Sequence, residues 1–390
     1  MPVVPMRPVL EAAFLGGYAQ GAFNVNTVAQ AQAVIEIHKM FRSAAIIQGA
    51  DLANAFMGGR ADFANGTIED KQRGARRIAE AVHRYADDLD LPVVLHLDHG
   101  RDLDSVKAAI DGGCSSVMID GSALPYEDNV ALTREAVRYA HPLGVSVEGE
   151  LGVLAGVEDH VFAQNSTYTD PVLACDFVKK TGVDCLALSY GTQHGASKGA
   201  NVKLRKEIVI ATCENLQHAG VTPFLVSHGS STVPVQMVRQ INALGGNIQN
   251  AHGIPLPELK AAIQAGICKI NVDTDIRLAI TRNLREFFLR HPEKQQEPTL
   301  RPVWALMEAD SGAFDPRVYL PPVMEQLIHD VPLTDPALLE LVEQIKAGVH
   351  ETVGTLIVEF GSAGKADSID VKTLEDMKRF YREREACGIC

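Results

Sequence analysis

Long hydrophobic runs are absent from this sequence: no apolar stretch approaches the roughly 20 residues that a membrane-spanning helix needs. The segment Met1–Phe14 also lacks the basic-then-apolar order of a secretory signal. Basic residues are in the minority, with 36 Lys and Arg against 49 Asp and Glu, so the net charge is −13. This balance argues against a nucleic-acid or anionic-membrane partner. We expect a cytoplasmic protein that binds neither, and that holds any anionic ligand through local groups.

Cysteine is too sparse and too irregular for a disulfide framework. There are seven, an odd number, and Cys114, Cys185 and Cys268 lie in apolar runs. Reduced thiols are the simplest interpretation. The C-terminal Cys387-Gly-Ile-Cys390 has the spacing of a redox pair, but such a motif is weak when it stands alone, and we expect free thiols there.

Short β-like runs alternate with segments of helical period, such as Ala29–Met40, Leu103–Ile110 and Val130–Ala140. This alternation predicts parallel strands joined by right-handed crossovers. Eight such repeats within about 280 residues favour an α/β fold of the (β/α)₈ TIM-barrel type over an open sheet. The predicted strands are Gly21–Asn26, Ala44–Ala50, Pro92–His99, Ser115–Gly121, Val145–Leu151, Cys185–Gly191, Pro223–Gly229 and Ile267–Thr274.

The repeat stops near residue 290, which divides the chain into a barrel over residues 1–290 and a C-terminal extension over residues 291–390. The polar segment His291–Arg301 is typical of a linker. Apolar residues of a helical tail follow at Leu338, Leu339, Leu341, Val342 and Ile345. We expect a mostly helical extension that packs on the barrel or forms a subunit contact.

Three histidines, His99, His194 and His228, each lie at or just past the end of a predicted strand. Carboxyl ends of parallel barrel strands meet on one face, where barrel enzymes place their chemistry. Three neutral imidazoles there can hold one divalent metal and leave a coordination position open. Asp98 stands next to the first of them and could move protons beside the metal.

Carboxylates at further strand ends also point to a cation. Glu148 and Glu150 share one face of a strand, as do His96 and Asp98. Barrel interiors are normally filled with branched apolar side chains, so inward carboxylates call for a positive partner. Asp120 and Glu150 end two further strands and are either additional metal ligands or hydrogen-bond acceptors behind the ligands.

Glycine and serine turns follow two of the histidines, at His194–Gly199 and at His228–Thr232. With the segment Asn271–Thr274 they place backbone N–H groups and hydroxyls around one mouth. The last two segments follow the seventh and eighth strands, the usual phosphate site of this barrel.

Five ordered motifs resemble the class II, metal-dependent fructose-bisphosphate aldolases, and most of all their Calvin-cycle-like branch. The resemblance covers residues 8–290 and returns at Asp315-Pro-Arg317 and Phe360–Lys365. The motifs are Leu95-His-Leu-Asp-His-Gly100, Glu148-Gly-Glu-Leu-Gly152 with Gly156-Val-Glu-Asp159, Gly191-Thr-Gln-His-Gly195, His228-Gly-Ser-Ser231 and Ile270-Asn-Val-Asp-Thr-Asp275.

By this resemblance, a catalytic zinc ion is held by His99, His194 and His228. Asp120 and Glu150 match carboxylates of an alternative metal position, which implies a second divalent cation or a monovalent one. Asp98 matches the catalytic aspartate, which takes the C4 hydroxyl proton of the substrate. Glu158 matches a glutamate of a mobile loop, here the polar segment Gly156–Asp170, which handles the C3 proton of dihydroxyacetone phosphate.

The resemblance also implies a phosphorylated sugar substrate and a homodimer or homotetramer. Arg317 resembles an arginine that reaches the second phosphate from a neighbouring subunit. The reaction implied is reversible cleavage of fructose 1,6-bisphosphate to dihydroxyacetone phosphate and glyceraldehyde 3-phosphate. The predicted substrate contacts are Asn24, Gly195, Lys198, Gly229, Ser230, Ser231, Asn271, Asp273, Thr274 and Arg317.

Three departures from the family pattern leave more than one function open. Gln48-Gly-Ala50-Asp51 stands where a serine usually contacts substrate, a tyrosine is missing before Lys198, and the segments 290–314 and 327–361 are long. An aldolase for another ketose bisphosphate, such as tagatose 1,6-bisphosphate, would use the same groups. A Schiff-base aldolase would need Lys269. A barrel metallohydrolase and a non-catalytic aldolase-like subunit also stay open.

Overall fold

The eight predicted strands close into one parallel barrel. The computed structural model describes residues 3–158, 161–198, 202–221, 224–330 and 332–386, with backbone only at 157, 158, 161 and 162. The barrel order is β1-β10-β9-β8-β5-β4-β3-β2, and every neighbouring pair is parallel. The prediction of a (β/α)₈ barrel is therefore confirmed.

The barrel strands agree with the predicted ones to within a few residues, and β6 and β7 form a separate antiparallel hairpin. The strands are β1 (Gln20–Asn24), β2 (Ala45–Ala50), β3 (Val93–Gly100), β4 (Ser116–Ile119), β5 (Ser146–Leu151), β6 (Gly156–Glu158), β7 (Val161–Ala163), β8 (Cys185–Leu188), β9 (Phe224–Ser227) and β10 (Ile267–Val272).

Helices alternate with the barrel strands and then continue alone to the end of the described chain. The α-helices are α1 (Met6–Gly16), α2 (Val28–Phe41), α3 (Asp51–Met57), α4 (Ile68–Ala86), α5 (Leu103–Asp111), α6 (Tyr126–Ala140), α7 (Pro171–Thr181), α8 (Lys206–His218), α9 (Val235–Ala243), α10 (Leu256–Ala265), α11 (Thr274–Arg290), α12 (Arg301–Ala309), α13 (Pro316–Tyr319), α14 (Met324–Leu327), α15 (Pro336–Glu359) and α16 (Leu374–Ala386). Short 3₁₀ helices span Phe63–Asn65, His141–Leu143, Pro292–Gln295, Pro321–Val323 and Ala366–Ser368.

The lower half of the barrel lumen is apolar and is closed by α1. Met6, Val9, Leu10 and Ala13 of this helix are buried against inward strand residues such as Val94. Their spacing is that of one helix face, and the helix precedes the first of the predicted strands. With one end of the lumen filled by side chains, the polar strand residues are concentrated at the carboxyl ends.

The C-terminal helices continue the same hydrophobic core. Helix α15 packs against α11 and α2, and its Leu341 and Ile345 belong to the cluster that contains the barrel helices. Helix α16 packs against the 3₁₀ turn His141–Leu143. The extension is mostly helical, as expected, and the division at residue 290 stays a prediction.

One expectation about an irregular segment needs correction. The segment Gly156–Asp170, expected to be a loop, begins with the hairpin β6–β7. The linker at His291–Arg301 contains a 3₁₀ turn at its start and ends in the first residue of α12. Within the described ranges, none of the helices combines the length and the apolar character that crossing a membrane would require. The five described cysteines are free thiols, whereas Cys387 and Cys390 lie outside the described residues.

Candidate active site

An irregular end of β3 brings two consecutive side chains into the lumen. The register against β4 shifts between Leu97 and Gly100, and His99 has a φ of +46°. Side chains of a regular strand alternate between its faces, and a bulge breaks that alternation. Asp98 and His99 are both buried, and both contact residues of other strands inside the barrel. A backbone held in this uncommon conformation is typical of a functional site.

One ring nitrogen of His99 and one of His228 face each other inside the lumen. His99 Nε2 lies 2.9 Å from His228 Nδ1. The second nitrogen of each ring faces a carboxylate, because His99 Nδ1 is 2.9 Å from Asp120 and His228 Nε2 is 2.6 Å from Glu148. Carboxylates behind the imidazoles are the usual arrangement around metal-ligating histidines, since they fix ring orientation.

His194 joins this pair from the loop after β8. Its ring centroid lies 5.1 Å from that of His99, and the ring is buried. The three predicted metal ligands thus come from three parts of the chain to one side of the lumen. Two groups of residues could each hold a metal ion, because the ligand atoms within each group lie within 4.8 Å of one another. The first group is Asp98, His99 and His228, and the second is His99, Asp120 and Glu150.

The electrostatics of this cluster suit a cation. Burial opposes charge on His99, but Asp98, Asp120 and Glu150 outweigh it and raise the pKa of the imidazole well above its ordinary value. Burial, reinforced by the negative charge of Asp120, raises the pKa of Glu150 well above its usual range. Glu150 Oε2 has no hydrogen-bond partner among the described residues. Imidazole nitrogens together with buried, under-neutralised carboxylates fit a divalent metal ion.

Asp98 is held by three amide groups. Its Oδ2 accepts hydrogen bonds from Asn24 Nδ2 at 2.9 Å and from Gln48 Nε2 at 3.2 Å, and its Oδ1 accepts one from Asn271 Nδ2 at 2.9 Å. Asp98 Oδ1 is also 3.8 Å from His228. The carboxylate is therefore oriented beside the histidine pair. In the sequence, the segment that begins at Gln48 was noted only because it lacks the serine usual in the family. Gln48 pairs in register with His96, whose side chain was expected to face the lumen, and this could have identified Gln48 as a partner of Asp98.

A buried ion pair stands behind the histidines. Lys269 Nζ lies 2.9 Å from Glu148 Oε2 and 2.7 Å from Asn271 Oδ1, and both charged side chains are fully buried. Burial raises the pKa of Glu148, but Lys269 and His228 outweigh it, so the pKa is lowered below its usual range. An amine used for a Schiff base would have to leave this pair, which argues against Lys269 as a nucleophile.

The turns after β8 and β9 pack against each other at the mouth. Gly229 has a φ of +59°, and a Cβ there would come within 2.5 Å of the Gln193 carbonyl oxygen, so only glycine fits. Lys198 Nζ donates to the Gly229 carbonyl at 2.7 Å. Its ammonium thus ties the two turns together, and Gly195 (φ +79°) makes a second tight turn in the same loop.

The next turn is linked to the start of α11. Asp275 accepts hydrogen bonds from the backbone N–H groups of Thr232, at 2.8 Å, and Val233, at 2.7 Å. Ser231 Oγ accepts from the Asp273 N–H at 3.3 Å. Thr274 begins the 17-residue α11, so the positive end of a long helix faces this mouth. Such an end with hydroxyls nearby suits a phosphate group.

Arg317 connects to the mouth through a chain of charges. It contacts Asp315 at 2.8 Å, Asp315 contacts Arg277 at 2.9 Å, and Arg277 in turn pairs with Asp273. Its guanidinium also stacks over the Phe63 ring at 4.6 Å, and the residue is buried. Its predicted reach into a neighbouring subunit stays a prediction, as does the homodimer or homotetramer.

Most predicted residues therefore surround one mouth. Asn24, Asp98 and Asn271 share direct hydrogen bonds, and Ser230 bonds to Ser227 at 2.6 Å beneath the turn. Glu158 ends β6 in the hairpin that follows the β5 strand; its side chain lies outside the described atoms. Its predicted proton transfer stays a prediction.

Comparisons with known proteins agree with this geometry. The family model described as fructose-bisphosphate aldolase class-II matches residues 4–365. The fructose-bisphosphate aldolase of Treponema pallidum is 39% identical over 83% of this chain and 92% of its own length. That of Giardia intestinalis is 36% identical over 98% of this chain and its whole length.

A solved structure, the YdjI aldolase from Escherichia coli K12, superimposes with a TM-score of 0.63 at 26% identity, covering 93% of this chain and 99% of that chain. The family match spans both the barrel and most of the C-terminal extension. Members of this family are metal-dependent carbon–carbon lyases, and the clustered histidines and carboxylates provide ligands for a metal. The chain is an aldolase and belongs to the class II fructose-bisphosphate aldolase family.

Proposed function

We propose that this protein reversibly cleaves fructose 1,6-bisphosphate to dihydroxyacetone phosphate and glyceraldehyde 3-phosphate. The observation that carries the proposal is the pair of facing nitrogens of His99 and His228, 2.9 Å apart, beside the oriented carboxylate of Asp98. His99, His194 and His228 would hold one divalent cation, for which zinc is the expected ion. Asp120 and Glu150 would serve a second divalent or a monovalent cation.

Acid–base chemistry falls to two carboxylates in this proposal. Asp98 accepts the proton of the C4 hydroxyl, and its three amide donors keep it aimed during the transfer. The C3–C4 bond then breaks, and its electron pair stays with the dihydroxyacetone phosphate half. Glu158, in the hairpin strand β6, delivers the proton to C3. A divalent cation bound at the histidines supplies Lewis-acid polarisation of the C2 carbonyl.

Phosphate binding is assigned to the turns around the mouth. The positive end of α11, with Asp273 and Thr274, faces the turn that carries Gly229, Ser230 and Ser231. Backbone N–H groups and a helix dipole favour a phosphate dianion even though the chain as a whole is acidic. Gly195 and Lys198 complete this side of the mouth, and Asn24, Asn271 and Arg317 remain proposed substrate contacts.

A coupled assay tests the proposal directly. Cleavage of fructose 1,6-bisphosphate is followed through glyceraldehyde 3-phosphate formation in untreated enzyme, after chelation, and after return of zinc, cobalt or manganese. We expect chelation to abolish cleavage and one of these ions to restore it. Failure of all metal-restored samples to cleave the sugar would overturn the proposal.

Two further arms separate this reaction from its competitors. Parallel assays with tagatose 1,6-bisphosphate compare kcat/KM for the two epimers, and a higher value for tagatose would reassign the substrate. Borohydride added with substrate should leave activity intact, because Lys269 is held by Glu148 and forms no Schiff base. Inactivation by borohydride, with activity surviving chelation, would instead support lysine chemistry.

A further inference from the structure

A second pocket lies at the barrel end opposite the candidate active site. It has a volume of about 820 Å³ and sits where α6, α7 and α16 end. The turns that line it, near His141 and Thr181, lead into the amino ends of β5 and β8. The candidate active-site residues follow the carboxyl ends of the strands. A six-residue strand such as β5 spans roughly 20 Å, so the two sites are separate.

The lining of this basal pocket is strongly basic in an acidic protein. Five basic residues face one acidic residue, a formal charge of +4, while the whole chain carries −13. Basic side chains often offset the negative end of a helix. The ends of α6 and α7, about −0.5 each, and the carboxylates of Asp176 and Glu127 beside Lys180 together offset about 3 of these charges and leave about +1. The residues are Arg134, Arg138, Lys179, Lys180, Arg382 and Glu385.

The basic residues of this lining differ in whether a carboxylate pairs with them. Lys180 lies 2.8 Å from Asp176 and 3.1 Å from Glu127, so its charge is matched. Arg138 and Lys179, by contrast, have no carboxylate oxygen within 4.0 Å in the described part of the chain. They are exposed at the pocket edge and available to an incoming anion.

The wall of the basal pocket is rigid and partly aromatic. The His141 and Tyr381 rings stack at 3.7 Å with an interplanar angle of 4°. Both are fixed by Asp184 Oδ2, at 3.0 Å from His141 Nε2 and 3.0 Å from the Tyr381 hydroxyl. Val137 and Pro142 add apolar surface beside this stack. A site with a fixed wall avoids part of the ordering cost of binding.

We propose that the basal pocket binds a small organic phosphate anion. Arg138 and Lys179 lie exposed at the pocket edge with no carboxylate partner among the described residues, and guanidinium groups are well suited to phosphate oxygens. The volume lies within the range of organic-ligand sites, and the apolar wall gives the organic part a surface. This site does not depend on the function proposed for the barrel mouth.

Calorimetric titration tests the basal pocket. The probes are the magnesium salts of adenosine 5′-triphosphate and of inorganic triphosphate, added to the metal-loaded enzyme. The pocket variant R138E/K179E is compared with K39E/R76E, which makes the same change of net charge at exposed positions elsewhere. A hexitol 1,6-bisphosphate, which has no carbonyl to cleave, serves as a competitor for the candidate active site.

We expect one nucleotide to bind per chain, at least about tenfold more weakly in R138E/K179E and within about threefold of wild type in K39E/R76E. R382E, a single exposed change, should weaken binding in the same direction. Absence of saturable binding would overturn the proposal, as would equal losses in the two double variants. Displacement by the hexitol bisphosphate without an effect of R138E/K179E would place the anion in the barrel mouth. Inorganic triphosphate binding as tightly as the nucleotide would refute the organic part of the proposal.

Discussion

Replacing Lys269 with methionine removes one charge of the ion pair behind the histidines and nearly preserves the side-chain volume. Lys269 Nζ and Glu148 Oε2 are 2.9 Å apart, and neither side chain is exposed. At an effective dielectric constant of 20, opposite charges at that distance attract by about 6 kcal/mol. Part of that attraction offsets the desolvation of both ions. Breaking such a buried pair from one side costs about 3–5 kcal/mol, a large share of a typical folding free energy of about 5–15 kcal/mol.

The double variant E148Q/K269M tests whether the unpaired charge of Glu148 causes the loss of stability. It removes both charges, while the glutamine oxygen can still accept a hydrogen bond from His228 Nε2, 2.6 Å away in the native protein. Asn271 Oδ1 loses the lysine donor, at a cost of about 1 kcal/mol. We therefore expect the free energy of unfolding of the double variant to be only about 1 kcal/mol lower than that of wild type. It should be clearly higher than that of K269M.

Urea denaturation of metal-free protein at pH 7 measures all three free energies of unfolding. The control is K107M, because Lys107 is 40% exposed and 3.8 Å from Asp104, and a surface pair of this kind contributes about 0–1 kcal/mol. A loss in K269M no larger than that in K107M would refute the idea that the buried charge matters. A double variant no more stable than K269M would show that packing, and not charge, explains the loss.

Three other predictions concern Asp184, which holds the aromatic wall of the basal pocket, and the candidate active site. Burial raises the pKa of Asp184, but His141, Arg7 and the Val147 N–H outweigh it and lower the pKa from 3.8 to about 2. The ionised carboxylate therefore stabilises the fold above the unfolded pKa, and this contribution is lost as pH falls from about 4 to 2. At pH 7, the free energy of unfolding of D184N should be about 2 kcal/mol lower than that of wild type. Urea titrations should show this difference shrinking at acid pH, and a difference that stays constant would contradict the prediction. H99A should lose the bound divalent ion, and the exposed H83A should keep it, as measured by metal analysis after dialysis; equal metal content in the two would argue against the ligand assignment. D98N should keep its metal but lose about 10²–10⁴ in kcat; unchanged cleavage would show that Asp98 does not take the C4 hydroxyl proton.

Much of the fold could be predicted because its signals are local. The barrel strands are buried along their whole length, and in most of them, such as Ala45–Ala50, apolar residues predominate and mark the strand in the sequence. Helix α2 keeps its apolar residues at helical spacing. The hairpin β6–β7 was missed because each of its strands has only three residues, and so short a segment carries little periodic signal.

The candidate site was predictable only in part. Residue types at strand ends pointed to His99, His194 and His228, since topology brings all strand ends to one face. Which nitrogen faces which partner was not predictable. Glu148 and Gln48 contact His228 and Asp98, but their sequence neighbourhood gives no sign of the partner, because each partner lies on another strand.

The sequence by itself determined the class of this protein: eight apolar strand runs, metal-ligating residue types at their ends, and an acidic composition. These properties follow from local periodicity and side-chain chemistry. Only the tertiary structure decided that His99 and His228 face each other, that Lys269 is engaged by Glu148, and that basic residues of α6, α7 and α16 line one pocket. Such pairings join residues far apart in the chain, and only closure of the barrel and docking of α16 bring them within reach of hydrogen bonds and charge.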